Sequence, residues 1–328
     1  MTTDQDPLVP GLLSRSVRLS TGAKVHYVTS GEHGPNVILL HGGLPGSSGT
    51  AGFRLMAPFL GSQGFRVFAP DQPTFGHTED PYGAYAHGQG GSVDFVHDFA
   101  NALALDTFHL GGNSLGCTNS ANYALAHPER VDSLALIAGG LGDIVPREDM
   151  TAADPRSPED RPKPRPWDGR PETMRAILEG VVLSPETVTD ELVAMRTAAA
   201  IRHDGRNQEF FARWRAPHSG GSNPDERARL RTKDRLDQLT IPAIYLHGKE
   251  DVSLHVAGAY LLEDALPDIQ FFYPENTGHQ GQTDQPELFN QVFLEFFRDG
   301  VISQATARRA GVSTRRPASR LVEAGPAA

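Results

Sequence analysis

Cysteine is almost missing from this sequence: Cys117 is the single one in 328 residues. One thiol cannot close an intramolecular disulfide, so the fold must rest on its core, and the composition suits a reducing compartment. Cys117 itself reads as a packing residue rather than a reactive one. Long apolar runs are lacking as well, none approaching the roughly 20 residues that cross a bilayer. The segment Met1 to Asp6 has neither the basic start nor the apolar run of a secretory signal. A cytoplasmic location is the expectation. Positive charge is in deficit, with 30 Lys and Arg against 40 Asp and Glu and a net charge of −10. That argues against nucleic acid or a membrane surface as partner. The histidines do not fall at metal-ligand spacing with acids or cysteines, so neither a metal nor an organic cofactor is implied.

What the sequence does contain is alternation of strands and helices. The length suffices for one large α/β domain with an inserted subdomain. Residues 15–30 alternate like a hairpin around Ser20, Thr21 and Gly22. Apolar strands are predicted at 36–40, 65–69, 107–111, 133–138, 241–246 and 269–273, with helices at 92–105, 117–127 and from Pro286. This pattern means a mostly parallel sheet covered on both faces. Residues 146–172 are rich in proline and in charges of both signs, and are expected to form a mobile or partly disordered excursion. Helical patterns without strands follow at 172–180, 185–201 and 208–214. From about Ile302 the chain carries five arginines against one glutamate and reads as a disordered tail. The predicted division is a core from 1–141, a helical insert from 142–235, the rest of the core from 236–300, and the tail from 301–328.

The chemistry is concentrated in three loops. Gly112-Asn113-Ser114-Leu115-Gly116 sits where a strand turns into a helix, and its glycines permit a turn that holds a serine hydroxyl out of the sheet. The N–H of Leu115 then lies near a helix N-terminus, placed for an oxyanion. After the strand at 241–246 come Glu250 and Asp251, either of which could be the acid, and after the strand at 269–273 comes His279. The chain order serine, acid, histidine is that of an α/β-hydrolase fold. His41-Gly42-Gly43 follows the strand at 36–40, and a backbone N–H there would be the second oxyanion donor.

With these loops in place the chain resembles the meta-cleavage-product hydrolases, which cut a carbon–carbon bond in 2-hydroxy-6-oxo-hexa-2,4-dienoates. The resemblance runs from about Ser14 to Phe297. It rests on the extended glycine loop His41 to Gly49, the loop Asp71 to Gly76, the elbow, and the stretch Thr187 to Arg196. It implies an eight-stranded, mostly parallel sheet flanked by helices, with a helical cap between strands 6 and 7. It also implies Asp251 rather than Glu250 as the acid, Asn113 at the substrate's oxygenated end, and Arg196 on the substrate carboxylate, with Arg202 in reserve. A guanidinium suits that task because it binds a carboxylate through two parallel hydrogen bonds. The alternative use of Arg196 is an ion pair with Asp190 or Glu191 on its own helix. The chain departs from the family at Gln280, where tryptophan is common after the catalytic histidine, and at His77-Thr78.

The resulting expectation is a serine hydrolase of a small-molecule substrate, with triad Ser114, His279 and Asp251. Gly43 and Leu115 supply the oxyanion hole, and Gly42, Asn113, Arg196 and Gln280 touch the substrate. Relatives often self-associate, so a homo-oligomer is a further expectation of the resemblance. An esterase or lactonase with the same triad is the main alternative. Dehalogenase and epoxide-hydrolase chemistry needs a carboxylate nucleophile, which Ser114 is not. A ligand-sensing module of this fold is the alternative outside enzymes.

Overall fold

The computed structural model describes residues 9–85, 88–163, 165–203 and 224–323. The strands are β1 (Leu13–Arg18), β2 (Lys24–Ser30), β3 (Asn36–Leu40), β4 (Arg66–Pro70), β5 (Phe108–Asn113), β6 (Val131–Ile137), β7 (Ala243–Leu246) and β8 (Gln270–Phe272). They form one eight-stranded sheet in the order β1-β2-β4-β3-β5-β6-β7-β8. β1, β2 and β4 pair antiparallel, and every pair from β4 through β3 to β8 is parallel. Interior strands such as β3 and β7 are buried on both faces, which is why they read as unbroken apolar runs rather than alternating ones.

The helices of the first half are α1 (Gly49–Phe53), α2 (Met56–Ser62), α3 (Gln89–Ala102) and α4 (Leu115–Ala126). Between β6 and β7 come α5 (Arg147–Ala153), α6 (Pro171–Glu179), α7 (Asp190–Arg202) and α8 (Pro224–Leu230). The last are α9 (Val256–Ala265), α10 (Gly281–Asp284), α11 (Pro286–Asp299) and α12 (Gln304–Arg309). One face of the sheet packs on Phe95, Phe99, Tyr123 and Leu262, from α3, α4 and α9. The other packs on Phe53, Leu60, Phe289 and Phe293, from α1, α2 and α11. Two apolar layers on a parallel sheet are what the βα alternation requires.

The inserted segment has its own small core, in which Met174, Leu178, Leu192 and Met195 surround Ala51 of α1. Its two ends are tied together at the root. Asp143 accepts hydrogen bonds from Thr232 N (2.7 Å) and Lys233 N (2.9 Å), and Thr232 Oγ1 donates to Leu141 O at 2.7 Å. His203 Nε2 lies 2.9 Å from Gly76 O and fastens the end of α7 to the loop after β4. The helix expected at 208–214 lies outside the described residues.

Two expectations fail for related reasons. The charged excursion at 146–172 includes α5 and is pinned by Arg156, which pairs with Asp154 and donates to Val252 O at 2.8 Å. The segment after Gly300 is also ordered through Glu323. Tyr273 N donates to Gly311 O (2.7 Å), Ser313 N donates to Phe271 O (3.0 Å), and Ile302 pairs with Val322. Ile302, Ala307, Ala310 and Leu321 are buried against α11 and its neighbours. Its arginines have local work: Arg316 donates to Glu263 O and Leu266 O, both at 3.0 Å, at the C-terminal end of α9, where a cation is favoured. Arg315 pairs with Asp264 and lies over the Tyr260 ring at 4.8 Å.

Because Ile302 is fully buried, replacing it with alanine is expected to destabilise the protein by about 3 kcal/mol. A urea or thermal unfolding curve checks this, and an unchanged midpoint would return the segment to the status of a loose tail.

Candidate active site

Parallel strands end together, so the loops after β3, β5, β6, β7 and β8 gather on one edge of the sheet, where ligands bind in open α/β folds. Leu40 is paired with Gly112, Asn113 with Ile137, and Ile137 with Leu246. Beyond the last pairs, Ser114 N still donates to Ile137 O (2.9 Å) and His247 N to Phe272 O (2.9 Å), which fixes where each loop leaves the sheet.

Ser114 is held at φ 55°, ψ −112°, a backbone conformation that costs a non-glycine residue about 1–3 kcal/mol. The glycines around it are required by crowding rather than by torsion. A Cβ on Gly116 would come within 1.9 Å of Leu40 O, and one on Gly112 within 2.3 Å of Gly116 O. The elbow therefore passes under the end of β3 at backbone contact distance. Gly42 sits on the opposite side, where a Cβ would meet Asn113 Oδ1 at 3.3 Å and Ser114 Cβ at 3.4 Å. The His41 loop thus lies directly against the serine. Leu115 opens α4, so its N–H has no intrahelical partner. Among the described residues neither it nor the Gly43 N–H donates a hydrogen bond.

The glycine loop is locked from behind. His41 Nδ1 lies 2.7 Å from Gly42 O, and its Nε2 accepts from Gln72 N at 2.9 Å, so the ring is a neutral tautomer with both nitrogens used. Burial drives its pKa down to about 4, with Arg196 acting in the same direction against the opposing pull of Asp71 and the Gly42 carbonyl. Gln72 Nε2 donates to His41 O at 2.6 Å, and Asn119 Nδ2 donates to Gln72 Oε1 at 2.7 Å.

His279 Nδ1 is 2.7 Å from Asp251 Oδ2, and both residues are buried. Asp251 Oδ1 accepts from Ser253 N (2.8 Å) and Leu254 N (2.9 Å). Burial alone would raise the Asp251 pKa, but His279, His247 and the backbone donors outweigh it and hold the group ionised. Burial alone would likewise lower the His279 pKa; the charge and hydrogen bond of Asp251 instead keep it above the ordinary 6.5. An ionised Asp251 accepts a hydrogen bond from Nδ1–H, which leaves Nε2 of the neutral ring free to accept a proton. Glu250, the other acid of that loop, is used elsewhere: its Oε2 accepts from Thr277 N at 3.0 Å and steadies the histidine loop.

Asn113 donates to His279 O at 3.1 Å and so stitches the Ser114 loop to the His279 loop. Gln280 N donates to Val181 O at 3.2 Å, linking the base loop to the insert. A residue not singled out from sequence strengthens that link. Asp284 accepts from Leu183 N (2.9 Å), Ser184 N (3.2 Å) and Gly278 N (2.8 Å). It stands in a short aperiodic run before Pro286, where no sequence pattern marks it.

Arg196 lies on α7 with 2% of its surface exposed, and its Nε and one terminal nitrogen are buried without a hydrogen-bond partner. Neither acid of its own helix serves it: Asp190 pairs with Arg175, and Glu191 acts on Arg54. Burial pulls the Arg196 pKa down to about 9, with the nearby Arg54 adding to the effect. Gly46 of the glycine loop, at φ 69°, packs on the Arg196 backbone so closely that a Cβ would come within 1.9 Å of its carbonyl oxygen. The buried cation and the oxyanion loop are therefore in contact through the chain. Arg202, the reserve candidate, is exposed at the end of α7. Among the described residues no cluster of three His, Cys, Asp or Glu side chains is placed to hold a metal ion.

Comparison with known proteins agrees with this geometry. A hydrolase of Paraburkholderia phymatum, named for 2-hydroxy-6-oxononadienedioate and 2-hydroxy-6-oxononatrienedioate, is 26% identical over 278 residues, covering 84% of this chain and 91% of its own. The 2-hydroxy-6-oxo-6-phenylhexa-2,4-dienoate hydrolase of Burkholderia cepacia is 27% identical, with 84% and 92% covered. Among solved structures, the meta-cleavage product hydrolase from Pseudomonas fluorescens IP01 superposes with a TM-score of 0.68 at 27% identity, over 87% of this chain and 98% of that one. The profile of the alpha/beta hydrolase fold matches residues 35–286, from β3 through the elbow to the start of α11. With six of the eight strands, the serine elbow and the buried histidine–aspartate pair inside that span, this chain belongs to the α/β-hydrolase fold family.

Proposed function

We propose that the protein hydrolyses the carbon–carbon bond of a 2-hydroxy-6-oxo-hexa-2,4-dienoate, a small-molecule substrate of the kind named for its relatives. The observation that carries this reading is the buried guanidinium of Arg196, two of whose nitrogens have no hydrogen-bond partner and whose charge is felt by His41 of the glycine loop. A buried cation left without a partner is costly unless a ligand anion completes it. A dienoate brings a carboxylate at one end and a ketone at the other. Arg196 takes the carboxylate in two parallel hydrogen bonds, and Asn113 faces the 2-oxygen.

His279 Nε2 moves a proton from the 2-hydroxyl toward C5, giving a keto tautomer whose conjugation can accept the electrons of the breaking bond. Ser114, or a water it positions, adds to the C6 carbonyl. The N–H groups of Gly43 and Leu115 hold the developing negative charge, each contributing roughly 3 kcal/mol to the transition state. The C5–C6 bond then breaks, C5 retains the electron pair and its proton, and C6 leaves as a carboxylic acid after water has added. Gln280, in place of a bulkier aromatic, polarises the wall near the scissile bond.

Ser114→Ala is expected to lower kcat/KM for a coloured dienoate by at least about 10³-fold, followed as loss of its absorbance. Arg196→Ala should lower kcat/KM roughly 100-fold, corresponding to about 3 kcal/mol for a charge-assisted contact, while hydrolysis of p-nitrophenyl acetate stays within a few-fold of the parent. Equal losses on both substrates would favour an esterase in which Arg196 only supports the fold. The base must be neutral to work, and Asp251 holds its pKa above 6.5. Activity should therefore fall on the acid side through an inflection above pH 6.5. Asp251→Asn should move that inflection down in pH and lower the rate by about 10⁴-fold; a pH–rate profile reads both.

A further inference from the structure

A second serine–histidine–aspartate relay lies at the opposite part of the sheet and takes no part in the reaction above. Ser14 Oγ is 2.8 Å from His26 Nε2, and His26 Nδ1 is 2.7 Å from Asp71 Oδ2. Ser14 is exposed on β1, the edge strand, while His26 is buried and Asp71 fully so. Ser114 follows β5, four strands away, which at ordinary strand spacing is about 19 Å. The two relays therefore share no reacting atom.

Three features give this relay the polarity of an activated nucleophile. Asp71 is fixed on both oxygens, Oδ1 accepting from Gly49 N (2.7 Å) and Oδ2 also accepting from His77 N (2.7 Å). Burial alone would raise its pKa, but His26, His41 and the His77 N–H hold it down. An ionised Asp71 can only accept, so His26 Nδ1 carries a proton, and in the neutral ring Nε2 is the acceptor facing the Ser14 hydroxyl. The His77 ring, 4.9 Å from that of His26, packs against the imidazole and restricts its orientation. The acid–base spacing equals that of Asp251 and His279, 2.7 Å in each.

We propose that Ser14 is a second nucleophilic serine, acylated by activated carboxylic esters at the open edge of the sheet. In the step, Ser14 Oγ bonds to the ester carbonyl carbon while His26 Nε2 takes the hydroxyl proton. The bond from that carbon to the phenolic oxygen breaks, the phenolate leaves with its electron pair, and the imidazolium releases its proton to solvent. β1 runs straight through Ser14, without the strand-to-helix turn that frees N–H groups beside Ser114. The tetrahedral intermediate is then stabilised by water, so only a leaving group as good as p-nitrophenolate departs readily. The acyl group accumulates on Ser14 instead of turning over. The chemistry does not depend on the dienoate reading.

The test uses full-length Ser114→Ala protein and excess p-nitrophenyl acetate, with peptide mass mapping of residues around β1. Ser20 is exposed in the turn after β1 and is an internal control, whereas Ser16 pairs directly with His26 and is not. General-base assistance is worth about 10²–10⁴-fold, so Ser14 should acetylate at least about 100-fold faster than Ser20. That preference should vanish in urea, and in a further His26→Gln change. It should be matched by a stoichiometric release of p-nitrophenolate that Ser14→Ala removes. Equal acetylation of Ser14 and Ser20 in the folded protein would overturn the proposal, as would a preference that survives His26→Gln.

Discussion

The whole active edge depends on how closely two backbones approach at one point, where Gly116 passes beneath Leu40 O with no room for a side chain. That approach drives the turn at Ser114 into its strained torsions. The same contact lets the His41 loop close over the serine from the other side, through Gly42. A methyl group at either position would push the loop away from the nucleophile, and with it the N–H groups of Gly43 and Leu115. Strain of about 1–3 kcal/mol is tolerable here because the strands on both sides are largely buried and paired. Their ladders continue past the turn, as Ser114 N reaching Ile137 O illustrates.

A second expense sits in the insert. Arg196 is buried with two guanidinium nitrogens unsatisfied and with Arg54 as an electrostatic neighbour rather than an acid. Such a charge costs several kcal/mol relative to a paired one. The insert can hold it because Leu192 and Met195 on the same helix belong to its apolar core, and because Gly46 clamps the Arg196 backbone. His203, Asp284 and Gln280 hold that insert to the core at separate points.

The legible part of the sequence is the part governed by periodicity and by backbone crowding. The inner strands, the elbow, the histidine loop and α11 each leave a local pattern, because a parallel strand must be apolar and a tight turn must be glycine-rich. Side chains that act at long range leave none. Glu250 and Asp251 are adjacent carboxylates, and only the fold shows that one serves Thr277 N and the other His279. Arginine-rich composition after Ile302 reads as solvated charge, yet Arg316 reaches the carbonyls that end α9. Composition counts cations without recording which buried acceptors they meet. Asp284 escaped notice for the same reason, since two of its three backbone donors, Leu183 and Ser184, come from the distant insert.

Asp71 shows how far such hidden connections extend. One oxygen accepts from Gly49 N at the start of α1, immediately after the glycine loop, and the other serves His26 and His77. Its charge is also felt by His41, whose neutral ring pins Gly42. A single buried carboxylate thus anchors the far end of the glycine loop and orients a histidine on β2, next to the edge strand. Selection on the first task suffices to preserve the acid and its depressed pKa. The second relay then needs only one further change at an exposed strand position, a serine within reach of His26. Reactivity at Ser14 would in that case be a by-product of rigidity required at Ser114, rather than a separately built site.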